Sequence, residues 1–248
     1  MRTAITALIS LLLISSVSAQ DKYPSPWLDK QEYSWTEHEI ANSPTLSDIS
    51  QHSPPGYTDS DPITSGHEQT HGTCSKYRNQ QSVNGLTNAF YLLNGRVEII
   101  TAPKTTLAEV AKVVPQELQG DIFNLYVRQQ QRYWNNEPMY LAEEMVCYKH
   151  GSMIRFELGI TKRGETVAYA LEMMVYSLYM MHLGEGPNQK LEQFMAEQIW
   201  AIADTYHNNK KIGGLHKADA YLERMRNNKQ IYQYIDELTN KYPKDSFK

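Results

Sequence analysis

Apolar positions along the chain change their spacing several times, and those changes mark out the elements. From Gln20 to about Ser60, "QDKYPSPWLDKQEYSWTEHEIANSPTLSDISQHSPPGYTDS" carries no sustained period of 3.6 or 2.0, which predicts an irregular arm held by Trp27, Trp35 and Tyr57. A helix is expected from Pro62 to Gln80, with two competing starts. Asp61 caps it with Pro62 at the first helical position, or Ser65 caps it with Glu68 three residues on as a capping box. In "NAFYLLNGRVEIIT", Asn88 to Thr101, two β-prone runs flank Asn94-Gly95, the strongest short hairpin signal.

Helical spacing dominates the remainder. It predicts a short helix over Thr106 to Val114 stopped by Pro115, another from about Gln116 to Tyr133, and one from Pro138 to Lys149 ended by Gly151. "MIRFELG" then follows as a strand or a continuation. Three longer periodic segments lie near Thr166 to His182, Gln189 to Asn208 and Lys217 to Lys241. The stripe "YALEMMVYSLYMMHLG" reads as core rather than as an exposed groove. The fold class that results is α+β, mainly α-helical, with one small antiparallel hairpin and a C-terminal helical bundle.

Composition narrows the setting. The opening "MRTAITALISLLLISSVSA" has one basic residue, an apolar run too short to span a bilayer and a small-residue end, so residues 1–19 read as a signal peptide cleaved after Ala19. The expectation is a protein secreted or periplasmic, with no membrane insertion, an arm at 20–60 and one domain over 61–248. A net charge of −4, with both signs mixed, carries no footprint for nucleic acid. Two cysteines cannot staple a scaffold, although they can form one bridge.

The chemistry is concentrated in "SGHEQTHGTC", Ser65 to Cys74. His67 and His71 leave one helical face together and can converge on a tetrahedral ion. Glu68 stands about 100° round the helix, where it reaches a metal-bound water without ligating. The structural reading of the same letters is a capping box with ordinary polar histidines. Metzincins continue with Gly three and His six residues after the second histidine; Cys74 and Tyr77 stand there, which excludes that class.

A third ligand is offered by "NEPMYLAEEMVCYKHG", Asn136 to Gly151, where Glu143 and Glu144 interrupt an apolar helix and need a partner if buried. Glu144 is preferred because it shares a face with Tyr140 and Tyr148, while Glu143 points toward the rim or toward a contact behind the ligands. Through His67, Glu68, His71 and this glutamate helix the sequence resembles the gluzincin zinc metallopeptidases. The resemblance covers two helices.

It implies one zinc ion on His67, His71 and Glu144, Glu68 as general base, and a Tyr or His at the oxyanion, with Tyr140, Tyr148 and His150 as the options. It implies a peptide or protein substrate, which the hairpin could take along its edge, since gluzincins pair substrate with an edge strand. Two further readings stay open: a secreted binding or structural protein with a fortuitous HExxH, and a zinc hydrolase of a non-peptide amide. Cys74 and Cys147 each lie one turn past a proposed ligand. Parallel helices would allow a disulfide closing a loop of roughly seventy residues; antiparallel ones would hold the sulfurs about 10 Å apart along the axis, as buried thiols.

Overall fold

The structure is a computed structural model that describes residues 42–80, 87–185 and 188–247. The segment expected to be a signal peptide, 1–19, and the expected anchors Trp27 and Trp35 lie outside the described residues. Nine α-helices and one two-stranded antiparallel sheet are described, so the mainly helical α+β expectation holds. No helix among the described residues is long and apolar enough to cross a membrane.

The irregular arm needs correcting where it is described, because Pro44–His52 is a helix, α1. Ser43 caps it and Pro44 occupies its first turn, yet three turns would not stand alone. Tertiary contacts hold it. Leu46 and Ile49 are buried, and the Glu157 carboxylate accepts from the Ser43 and Thr45 hydroxyls at 2.6 Å each and from the Thr45 amide. Tyr57 does act as an anchor: its ring covers Gly72, where a Cβ would stand 2.7 Å from it.

Helix α2 spans Pro62–Gln80. Its start is Asp61, whose carboxylate accepts the Thr64 amide at 3.1 Å and whose carbonyl accepts the Ser65 amide at 2.8 Å. Ser65 is therefore already inside the helix, its hydroxyl taken by Gln69, and Glu68 is not part of a capping box.

The hairpin pairs β1 (Thr87–Tyr91) with β2 (Val97–Thr101), Ala89 opposite Ile99. Arg96 N–H closes a turn on Leu93 O with positive φ at Asn94 and Gly95, as a type I′ turn requires. The outward amides of β1 are spent within the chain, Ala89 on Asn88 Oδ1 and Tyr91 on Cys74 Sγ. Strand β1 therefore offers no free edge to a peptide.

After α3 (Leu107–Val113), opened by a Thr106/Glu109 capping box, the expected helix to Tyr133 is broken into a 3-10 turn at Gln116–Leu118, a π-helical segment at Asn124–Gln129 and the single turn α4 (Gln131–Trp134). The cause is Glu172. This buried carboxylate takes the amides of Asp121 and Ile122 at 3.1 Å each, and Gly120 lets the backbone come that close.

Helix α5 runs Tyr140–Glu157, straight through Gly151. Glycine is a poor helix residue, but a Cβ here would stand 3.2 Å from the Ile63 carbonyl, so Gly151 lets α5 lie close on α2 instead of ending it. "MIRFE" is thus the end of a helix and not a strand. Central α6 (Glu165–Leu183) is buried nearly all round, so the Met and Tyr stripe is core. Helix α7 (Gln189–Lys210) packs beside it. The last expected helix is two, α8 (His216–Asn227) and α9 (Lys229–Lys241), because Asn228 turns out of helix and caps the second by accepting from the Ile231 amide.

Candidate metal centre

Helices α2 and α5 meet in an antiparallel sense. His71 touches Glu143, Thr70 touches His150, and Gly66 lies against Ile154, so the numbering of the two helices runs in opposite directions along the seam. Small residues at Gly66 and Gly151 permit the close approach. Cys74 and Cys147 are buried free thiols and no disulfide joins them. Burial and the Glu143 carboxylate push the Cys74 thiol up to about 12, which keeps it protonated and unreactive.

The seam brings His67, His71 and Glu144 together. His67 Nε2 and His71 Nε2 are 3.2 Å apart, His67 Nε2 lies 3.3 Å from Glu144 Oε2, and His71 Nε2 lies 3.4 Å from Glu144 Oε1. Donors held about 2.0–2.1 Å from a tetrahedral ion stand about 3.3–3.4 Å from one another; the two imidazoles come close to that spacing, and each faces a different Glu144 oxygen, so the three side chains can enclose one cation. Glu144 Oε2 is buried and has no hydrogen-bond partner, a costly condition that a cation relieves. The three residues are the one group of His, Cys, Asp and Glu donors among the described residues that could hold a metal ion. Among the described residues no fourth donor joins them, and an ion held by these three would keep an open position.

Electrostatics reinforce the geometry. Burial alone would raise the Glu144 carboxyl, but His71 and His67 hold it well below the usual carboxylate range. Burial works against the His71 imidazolium, and Cys147, Glu144 and Glu143 outweigh it, leaving His71 above the ordinary histidine range. A divalent ion would replace that proton.

Glu143 sits behind the donors, not at the rim. Its Oε1 faces His71 Nδ1 at 2.8 Å, and its Oε2 accepts from Arg78 Nη1 at 2.8 Å and Asn88 Nδ2 at 3.2 Å. A carboxylate on Nδ1 keeps the proton there and leaves the Nε2 lone pair facing the site. Arg78 reaches it because it lies seven residues after His71 on the same helical face. Neither Arg78 nor Asn88 was indicated by motif spacing.

A cleft of about 130 Å³ opens beside His67, with Glu68, Tyr126 and Tyr148 on its walls. Glu68 has no hydrogen-bond or ion-pair partner among the described residues. Tyr148 packs edge-on to His67 with ring centres 4.4 Å apart, and its hydroxyl meets that of Tyr126 at 2.6 Å. Tyr126 escaped sequence reasoning because it comes from the π-helical segment, where a regular helix was expected; such segments often mark functional sites.

Tyr140 lies elsewhere, stacked on Trp134 with its hydroxyl beside the Glu144 carboxylate, and does not line the cleft. His150 is also absent from the cleft. Thr70 donates to Gly66 O, so His150 donates its Nδ1–H to Thr70 Oγ1 at 3.1 Å, and burial with Lys149 nearby keeps the ring neutral. A wider hollow of about 670 Å³ lies at the start of α2, but its Glu157 is committed to Ser43 and Thr45.

No protein-family model, curated protein or solved structure matches this chain.

Proposed function

We propose that the chain is an exported zinc metallopeptidase with zinc on His67, His71 and Glu144. One observation carries the reading: two part-buried imidazoles 3.2 Å apart face a buried Glu144 carboxylate, one oxygen of which has no hydrogen bond, beside a cleft that also holds Glu68. Nitrogen and carboxylate donors in this number suit catalytic zinc, which keeps one position for water or substrate. Zinc, when bound, acidifies water and polarises the scissile carbonyl.

The chain's own groups perform the rest. Glu68, without a partner among the described residues, accepts a proton from the attacking water and returns it to the leaving amine. Of the two hydroxyls of Tyr126 and Tyr148, one hydrogen is spent between them, and the other is free to donate to the developing oxyanion. Glu143 holds His71 in the ligating tautomer, with Arg78 and Asn88 holding Glu143.

A second reading, a zinc hydrolase of a small non-peptide amide, is favoured by the narrow cleft, which does not reach the size typical of larger ligands. The export reading rests on residues 1–19. The test is metal content of the full chain after exhaustive dialysis, together with hydrolysis of a peptide library. About one zinc per chain and peptide cleavage lost in Glu68→Gln, with zinc retained, support the proposal. A chain that dialyses empty is a binding or structural protein with a fortuitous HExxH. A zinc-loaded chain that cleaves only non-peptide amides selects the second reading.

A further inference from the structure

Tyr126 reaches the cleft on a segment whose first residues are fixed to α6. Just before the π-helical stretch Asn124–Gln129, the backbone of Gly120, Asp121 and Ile122 docks on Glu172 and Tyr176, which lie one helical turn apart. Glu172 Oε1 accepts the Asp121 amide and Oε2 the Ile122 amide, each at 3.1 Å. Tyr176 Oη accepts the Gly120 amide at 2.9 Å and donates to Glu172 Oε2 at 3.1 Å, and the Phe123 ring stands edge-on to the Tyr176 ring. These are amides that a helix start leaves without an internal partner, and a carboxylate there also faces the positive end of the helix.

The hold passes directly to Tyr126. The Ile122 carbonyl accepts the Tyr126 amide at 3.0 Å, so two hydrogen bonds join the Glu172 carboxylate to the backbone that carries the phenol. At its far end the segment is tied to the start of α3, where the Leu107 amide donates to Asn135 O and the Ala108 amide to Asn135 Oδ1. Between these fixed ends the chain takes up a surplus residue as a wide turn, with Gln130 N–H reaching Leu125 O five residues back. Successive helical residues differ by about 100° in direction, so a slip of one residue at the start would carry the Tyr126 ring away from the cleft and break its 2.6 Å contact with the Tyr148 hydroxyl.

A buried carboxylate is a costly cap. Burial pushes the Glu172 carboxyl up, the Ile122 and Asp121 amides and the Tyr176 hydroxyl offset this, and no cation pairs with it among the described residues. We infer that Glu172 is a positioning residue for the cleft: by fixing the start of the π-helical segment it sets the place of the Tyr126 hydroxyl against Tyr148. Its effect on turnover rests on the peptidase reading above; the placement of Tyr126 is measurable without it. Whichever of the two hydroxyls meets the oxyanion, their contact has to be kept.

The experiment uses the full chain with zinc restored, a peptide that the unmutated chain cleaves, and three variants: Glu172→Gln, Tyr126→Phe and the two together. A glutamine keeps one oxygen, so one of the two amides loses its acceptor and the segment start shifts. Glu172→Gln should lower kcat about 10–100-fold with KM and bound zinc unchanged, and in the Tyr126→Phe background it should lower kcat no further. Its effect on urea unfolding should be the same in both backgrounds, which separates positioning from folding. Equal losses of kcat in the two backgrounds overturn the inference. Where Glu172→Gln does not fold, Tyr176→Phe takes its place with the same expectations, since it removes a donor to Glu172 and the acceptor of the Gly120 amide.

In parallel, 3-fluorotyrosine placed at position 126 of the full chain reports the phenol's surroundings by fluorine NMR, with no activity needed. The signal should move in Glu172→Gln toward its place in Tyr148→Phe, where the hydroxyl contact is absent. That movement without hydrolysis of any peptide sustains the positioning role and sinks the peptidase reading. A signal that Glu172→Gln leaves at its unmutated place overturns the inference, whatever the rates do.

Discussion

Glu143→Gln changes one atom and should weaken metal binding although Glu143 donates nothing to the metal. In the unmutated chain both carboxylate oxygens accept: Oε1 from His71 Nδ1, and Oε2 from Arg78 and Asn88. An amide has one oxygen. Arg78 cannot act as an acceptor, so that oxygen must face Arg78 and Asn88, and the NH₂ group then meets His71 Nδ1. His71 can satisfy it only by moving its proton to Nε2, which removes the lone pair that faces Glu144 and His67. The alternative orientation sets the half-buried Arg78 guanidinium against an NH₂ group and is worse.

Loss of such a supporting carboxylate reduces metal affinity by about 10–100-fold, or about 1.4–2.7 kcal/mol. The assay is competition for zinc against a fluorescent chelator, with circular dichroism to establish that the variant is folded. Glu144→Gln, which removes a donor, should lose more. A folded Glu143→Gln that binds zinc as tightly as the unmutated chain refutes the tautomer argument. Full zinc in Glu144→Gln would remove the third ligand, and full zinc in His71→Ala the metal reading altogether.

Three other outcomes are expected. Burial pushes the Lys149 ammonium down to about 8, against about 10.4 in an unfolded chain, so between those values the unfolded chain holds a proton that the folded one lacks. Stability should therefore rise with pH through this window, by on the order of 3 kcal/mol, and thermal melts of Lys149→Met should lack that rise; parallel curves would refute the assignment. Gly120→Ala places a Cβ 2.1–2.4 Å from the Glu172 carboxyl atoms and should cost about 1–3 kcal/mol in urea unfolding, with the midpoint shifted and the slope unchanged. Arg155, fully buried, donates to the carbonyls of Thr161, Lys162 and Gly213 and to Asn209 Oδ1; Arg155→Met orphans these acceptors and should cost about 3 kcal/mol or more by the same measurement.

Much of the local structure was legible. The ends of α2, the Asn94-Gly95 turn, the short helix before Pro115 and the buried α6 follow from capping residues, turn chemistry and apolar spacing, all of which act within a few residues. The misreadings share a cause. The helix expected from Gln116 is broken by a carboxylate fifty residues away, Gly151 continues a helix because another helix needs the space, and α1 exists because Glu157 anchors its start. Each is a distant group outweighing a local preference of about 1 kcal/mol or less per residue. Asn228 is different: its capping of α9 was a local signal, hidden inside a continuous apolar period.

At the site the division is equally physical. The sequence alone determined that His67 and His71 share a face and that Glu68 stands off it, because helix geometry sets those angles. It also marked Glu143 and Glu144 as carboxylates in apolar company. Which glutamate meets the donors and which one supports His71 were decided by the antiparallel docking of α2 on α5. Tyr126 entered the cleft the same way, through a π-helical segment. Docking sense and loop path depend on packing summed over the whole core, and no short spacing in the chain encodes them.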